Sequence, residues 1–193
     1  MTDRKKWLAV LLLALAAGIL LAGKSMAGSR TEKEADYLLT GEKVSCQISV
    51  GDQTDDQVVV RIKDLHLTSA EAPTLEILGS APVKLILEGE NIIEVTSRKK
   101  EDGKAVIRSE GTLEITGNGT LNVNGTGQDG IRVDGSFAMD SGTVRIHAGD
   151  DALRAGKSIE VSGGTLIMDA ENYLMRCEGE QELAEGCVFY EKQ

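Results

Sequence analysis

Residues 106–176 read VIRSEGTLEITGNGTLNVNGTGQDGIRVDGSFAMDSGTVRIHAGDDALRAGKSIEVSGGTLIMDAENYLMR. The opening Val106-Ile107-Arg108 returns as Gly130-Ile131-Arg132, Ala152-Leu153-Arg154 and Leu174-Met175-Arg176, with the apolar residue at spacings of 24, 22 and 22. Two alternating pairs recur in the same frame. One runs Leu113/Ile115, Phe137/Met139, Ile159/Val161 and then Leu183 alone. The other runs Leu121/Val123, Val144/Ile146, Leu166/Met168 and Val188/Tyr190. Gly117-Asn118-Gly119, Asp140-Ser141-Gly142 and Ser162-Gly163-Gly164 fill the intervals. Each repeat therefore holds three short strands whose side chains alternate in and out, separated by turn residues.

No repeat of this length closes a core alone. Stacked as parallel coils about 4.8 Å apart, the repeats bury continuous apolar columns. The expected fold is all-β: a single parallel β-helix with three strands per coil. It is expected to be right-handed, as parallel crossovers are, and the hexapeptide period of left-handed β-helices is absent. A sandwich of short strands is the competing architecture, but it does not require three columns to keep register over four repeats. Upstream, Leu85/Leu87 and Ile93/Val95 precede Leu113/Ile115 and Leu121/Val123 by 28, with the extra length placed in a charged surface loop at Ser97–Lys104. Leu65/Leu67 precede Ile93/Val95 by a further 28, and Val58/Val60/Ile62 and Cys46/Ile48/Val50 form the first, less regular turns. The expected total is about six coils, the last incomplete.

Composition agrees with thin coils: 22 Gly and 2 Pro in 193 residues, with only 3% aromatic. The net charge of −10 argues against nucleic acid as a partner, because phosphate contacts need clustered Lys and Arg. Scarce aromatics argue against a stacking platform for bases or sugars. Arg4, Lys5 and Lys6 precede an uncharged run, Trp7–Gly23, followed by Ser25-Met26-Ala27. That run is long for a signal-peptide core and short for a membrane span, so cleavage before Gly28 and a retained membrane tether both stay open. Lys24 stands where a lipoprotein box needs Cys. The expected organisation is a signal peptide or anchor at 1–27, a polar linker at 28–40 and the β-helix at 41–193, with the body secreted or at the cell surface. Export permits a Cys177–Cys187 disulfide, although Cys177 serves equally as a small buried apolar residue.

In-register stacking turns outward positions into ladders. Arg108, Arg132, Arg154 and Arg176 form one, whose members repel by about 1 kcal/mol per neighbour even in bulk water. An anionic ligand offsets that, since guanidinium forks suit carboxylates. So does a parallel stripe two residues on, Glu110, Asp134, Gly156 and Glu178, as an ordinary surface ion lattice. Only Arg154 lacks a partner in that stripe, which with nearby Lys157 makes it the leading ligand candidate. At the preceding turn, Asp129 and Asp151 stack, as do Gln128, Asp150 and Asn172. Such oxygen donors suit calcium, and the same residues also serve turn geometry without any metal. His66 and His147 form no zinc cluster, and no nucleophile, phosphate-loop or dinucleotide motif appears. The sequons at Asn118 and Asn124 coincide with repeat turns.

The stretch Val83–Cys177, VKLILEGENIIEV … GTLEITGNGTLNVNGTGQDGIRVDG … GTVRIHAGDDALRAGKSIEVSGGTLIM, resembles the secreted clostridial-type β-helix carbohydrate-binding proteins. That resemblance implies calcium and an acidic plant polysaccharide such as polygalacturonate, with links to cellulose and to β-helix pectate lyases. The recurring acidic pair before a small residue and an aliphatic carries it: Asp129-Gly130, and Asp150-Asp151 before Ala152. The next coil departs with Asn172-Tyr173 before Leu174, which implies fewer calcium sites. The leading expectation is non-catalytic binding of acidic polysaccharide through Arg108, Arg132, Arg154, Arg176 and Lys157. Calcium is expected at Asp129, Asp150, Asp151 and Asn172. The alternatives are a calcium-dependent lyase using Lys157 or Arg154, and a tethered adhesive surface protein.

Overall fold

The computed structural model describes residues 35–50, 57–100 and 104–190. The expected export segment lies outside them. Among the described residues all regular structure is strand, and no helix is long and apolar enough to cross a membrane.

A leading strand, β1 (Tyr37–Lys43), precedes six coils. The first coil holds β2 (Cys46–Ser49) and the long β3 (Val58–Ser69), and the second β4 (Leu75–Leu78), β5 (Val83–Glu88) and β6 (Glu90–Val95). The third holds β7 (Ala105–Ser109), β8 (Leu113–Gly117) and β9 (Thr120–Gly125). The fourth holds β10 (Asp129–Val133), β11 (Phe137–Met139) and β12 (Thr143–Ala148). The fifth holds β13 (Leu153–Ala155), β14 (Ile159–Val161) and β15 (Thr165–Ala170), and the sixth β16 (Met175–Cys177), β17 (Gln181–Leu183) and β18 (Val188–Tyr190). Corresponding strands pair in parallel, so the chain is the expected parallel β-helix. Its first face is β2-β4-β7-β10-β13-β16. The second is β5-β8-β11-β14-β17 and the third β6-β9-β12-β15-β18, joined because β3 pairs with β5 through its first half and β6 through its second. The corner in β3 falls at Asp64, a non-glycine residue with φ of 46°, whose Oδ1 accepts the Glu90 N–H at 3.2 Å.

The alternation explains the core. Leu75, Ile107, Ile131, Leu153 and Met175 stack on the first face, Leu113, Phe137 and Ile159 on the second, and Leu121, Val144 and Leu166 on the third. All but Met175, on the last coil, are buried. A coil this thin has room for one layer of side chains, and Phe137 heads the fully buried ones by size.

Upstream the register differs from the expected spacing of 28. Val83 pairs with Leu113 and Ile93 with Val123, a spacing of 30, while Leu67 pairs with Ile93 at 26. A slip of two residues leaves every side chain on its own face, so alternation alone does not separate the two registers. Asn91 decides it. Fully buried, it accepts the Leu65 N–H at 3.0 Å and donates to the carbonyls of Glu88 and Thr120 at 3.0 and 3.1 Å, tying three coils together. β1 begins at Tyr37 and lies along β3, so the ladder takes in the end of the segment expected to be linker. The sixth coil has all three strands, where an incomplete coil was expected.

Cys46, Cys177 and Cys187 are all free thiols. Cys177 lies on the first face and Cys187 just before β18 on the third, and the Cys177 Sγ donates instead to the Gly179 carbonyl at 3.3 Å. Burial pushes the Cys46 thiol up to about 11, which keeps it protonated.

Gly164 and Gly186 occupy the same corner in successive coils, with φ of 79° and 77°. A Cβ on Gly164 would stand 2.7 Å from the Gly142 carbonyl oxygen, whereas one on Gly186 meets nothing within 4 Å. Gly186→Ala is expected to cost about 1 kcal/mol for the left-handed backbone alone, and Gly164→Ala measurably more. Urea denaturation of both variants checks this. Equal losses would mean that corner packing does not limit the coil.

Candidate functional site

The first face carries the arginines. Arg108, Arg132, Arg154 and Arg176 are register partners on β7, β10, β13 and β16, each more exposed than the residues on either side of it. Below them the column continues as Glu76, opposite Arg108, and Gln47, whose Nε2 donates to Glu76 Oε2 at 2.7 Å. Sequence reasoning missed Glu76 because β4 lies 32 residues before β7, outside the regular repeat.

Neutralisation runs differently from the expected within-coil stripe. Arg108 pairs across to Asp134 of the next coil at 2.8 Å, and Arg176 reaches back to Asp151 at 3.5 Å. Glu110 accepts the Gly79 N–H at 2.7 Å. Arg154 makes no hydrogen bond or ion pair through its side chain with any described residue, and Gly156 stands where its acidic neighbour would be. A shallow depression of about 340 Å³ lies over this part of the face, lined by Arg132, Arg154 and Arg176 with Asp134 and Glu178. Lys157 is exposed at the turn after β13, outside that lining.

The turn carboxylates meet at the edge of the same face. Oxygens of Asp129, Asp150 and Asp151 lie within 4.8 Å of one another. Asp129 and Asp151 are each only 2% exposed. Asp129 Oδ1 accepts the Asp151 N–H at 3.1 Å. Asn172 enters this group as a donor: its Nδ2 reaches Asp150 Oδ1 at 3.2 Å and Asp151 Oδ1 at 2.9 Å, and the Tyr173 N–H adds a contact to Asp151 at 3.3 Å. Amide hydrogens thus do on the fifth-to-sixth-coil side what a cation would do. Burial, opposed by the Asp151 N–H and reinforced by the charges of Asp151 and Asp150, holds the Asp129 carboxyl above its ordinary value. The donor chemistry of the three carboxylates fits a hard divalent cation such as calcium. The ion pair between Arg176 and Asp151 joins this cluster to the arginine ladder.

Tyr173 adds what composition argued against. The residue is 53% exposed, with the Arg176 guanidinium 5.7 Å from its ring centroid. The signal was in the turn: Asn172-Tyr173 replaces the acidic pair of earlier coils.

A family model described as Carbohydrate-binding domain-containing protein matches residues 29–192. The comparisons with curated proteins and with solved structures give no match.

The raised Asp129 value sets a pH dependence. An acid whose folded value lies above its unfolded value, here near 3.8, contributes stability that is present below pH 3.8 and lost as pH rises through the folded value. In chelator, Asp129→Asn is therefore expected to unfold at a higher temperature than the unaltered chain at neutral pH, with the gain shrinking to nothing in acid. Calorimetry across pH checks it, and a gain independent of pH contradicts it.

Proposed function

Because the chain belongs to the family of carbohydrate-binding domain-containing proteins, we propose that it is a non-catalytic module that holds an acidic, uronate-containing polysaccharide along Arg132, Arg154 and Arg176, assisted by calcium at Asp129, Asp150 and Asp151. The observation that carries this reading is Arg154. It is a guanidinium without a partner among the described residues, in the middle of an in-register ladder over a depression. Repulsion from its neighbours makes an incoming carboxylate favourable, and the fork geometry gives it two parallel bonds. Three guanidiniums against Asp134 and Glu178 leave the lining net positive, on a chain whose total charge is −10.

Calcium supplies charge neutralisation and a bridge between carboxylates. Asp129 and Asp151 would hold it from the buried side and Asp150 from the half-buried one. A cation on Asp151 also competes with Arg176 for that carboxylate, which frees the guanidinium for ligand. Binding of metal and polymer is coupled in this reading, and the coupling is reciprocal.

Affinity electrophoresis in polygalacturonate gels tests the proposal. Retardation in calcium is expected to disappear in EDTA. Arg154→Ala is expected to weaken it about tenfold, the size of one lost charge-assisted bond. No unsaturated uronate product should accumulate in ultraviolet absorbance; its appearance would establish a lyase. Retardation unchanged in EDTA would remove calcium from the account, and retardation unchanged by Arg154→Ala would remove the groove.

A further inference from the structure

We propose that the third face carries a second saccharide-binding surface, suited to uncharged glycan. The starting observation is a contrast between faces. On the second face the outward charges of the first three coils consume one another: Arg61 and Lys63 pair with Glu88, and Lys84 pairs with Glu114, which also accepts from Gln57. The last two coils of that face present only the exposed carboxylates Glu160 and Glu182. On the third face, Asn122, Asn124 and Arg145 make no side-chain hydrogen bond or ion pair with any described residue. They line a depression of about 330 Å³ together with His147, Ile167 and Asp169.

Register makes this a grid. Asn122, Arg145 and Ile167 stack in one column, and Asn124, His147 and Asp169 in the next. Columns two residues apart on a strand lie about 7 Å from each other, and coils about 4.8 Å. Each free amide offers both donors and an acceptor, the combination that sugar hydroxyls match. His147 Nδ1 lies 2.8 Å from Asp169 Oδ2, a contact that orients the ring. The first column ends on apolar surface: Ile167 is followed in register by Phe189, which is 49% exposed. Aliphatic and aromatic surface suits the C–H face of a sugar ring.

The charge chooses the ligand class. Arg145 offsets Asp169 in this depression, while the first-face groove is net positive. A uronate polymer meets a single guanidinium there, beside Asp169, against three on the first face, and an uncharged glycan gains nothing from the charge of the arginine ladder. The volume sits at the lower end of small-ligand sites, about 300–1,000 Å³, so it accommodates one or two rings of a longer chain. This inference rests on the carbohydrate-binding reading of the family and needs neither calcium nor the arginine ladder.

The experiment runs the chain in calcium through gels containing polygalacturonate and, separately, soluble uncharged polysaccharides (a β-glucan, a xyloglucan and a galactan). The expected result is retardation by at least one uncharged polymer, weakened about tenfold by the double variant Asn122→Ala/Asn124→Ala. Retardation by polygalacturonate should stay unchanged in that variant, and Arg154→Ala should give the reverse pattern. Thermal unfolding accompanies each variant; if the Asn pair unfolds early, Arg145→Ala and Phe189→Ala carry the same comparison. Retardation by polygalacturonate alone overturns the second surface and leaves the first-face reading standing. Loss of both kinds of binding in Arg154→Ala alone reduces two surfaces to one and also overturns it. Retardation by no polymer at all overturns both readings together.

Discussion

A 22-residue coil buries its apolar side chains only when the next coil repeats them at the same height, and that demand for register governs the rest of the molecule. Ile131 stays dry because Ile107 and Leu153 lie below and above it. Every backbone bond between coils enforces the same alignment for outward residues, whatever their charge. The arginines are therefore stacked by the needs of the core, at a spacing that no surface electrostatics would choose. Relief comes from diagonal pairs to Asp134 and Asp151, and at Arg154 it is left undone. A fold that imposes columns converts a repeated residue into a linear array, and a linear array suits a polymer.

The regular part of the chain was legible because side-chain period and repeat length agree over four coils. From Ile107 onward, the expected inward columns are the ones that stack. Upstream the pattern was degenerate. A two-residue slip preserves the faces, and the residue that decides the register, Asn91, is polar and so absent from any apolar column. Leu75 and Glu76 were missed for a related reason, since they fall outside the repeat length. At the site, the sequence could place Asp129, Asp151 and Asn172 at one corner. It could not say that Asn172 turns its amide hydrogens toward the carboxylates, nor that Glu110 is taken by the Gly79 N–H. Those choices depend on the diagonal offset between coils, which has no counterpart along the chain.

The faces divide the labour. The second pairs its charges over the first three coils and ends on exposed carboxylates, the first holds unspent positive charge beside a carboxylate cluster, and the third holds unspent amides beside apolar surface. The chain belongs to a carbohydrate-binding family, and its outward columns differ in chemistry: guanidiniums on the first face, amides on the third. The acidity of the whole chain then makes sense beside the first face: carboxylates spread over other surfaces and turns leave the arginine ladder as a local exception.

Deleting one coil tests the register most directly. Removal of residues 153–174 brings Met175 to the position of Leu153 and closes the ladder with one arginine fewer, while removal of 153–173 displaces every later side chain to the opposite face. The account predicts that the first variant unfolds cooperatively in urea, with a smaller denaturant slope in proportion to the surface lost, and that the second has no cooperative transition. Equal behaviour of the two deletions would contradict it, because stacking in register would then not be what holds the coils or aligns the site.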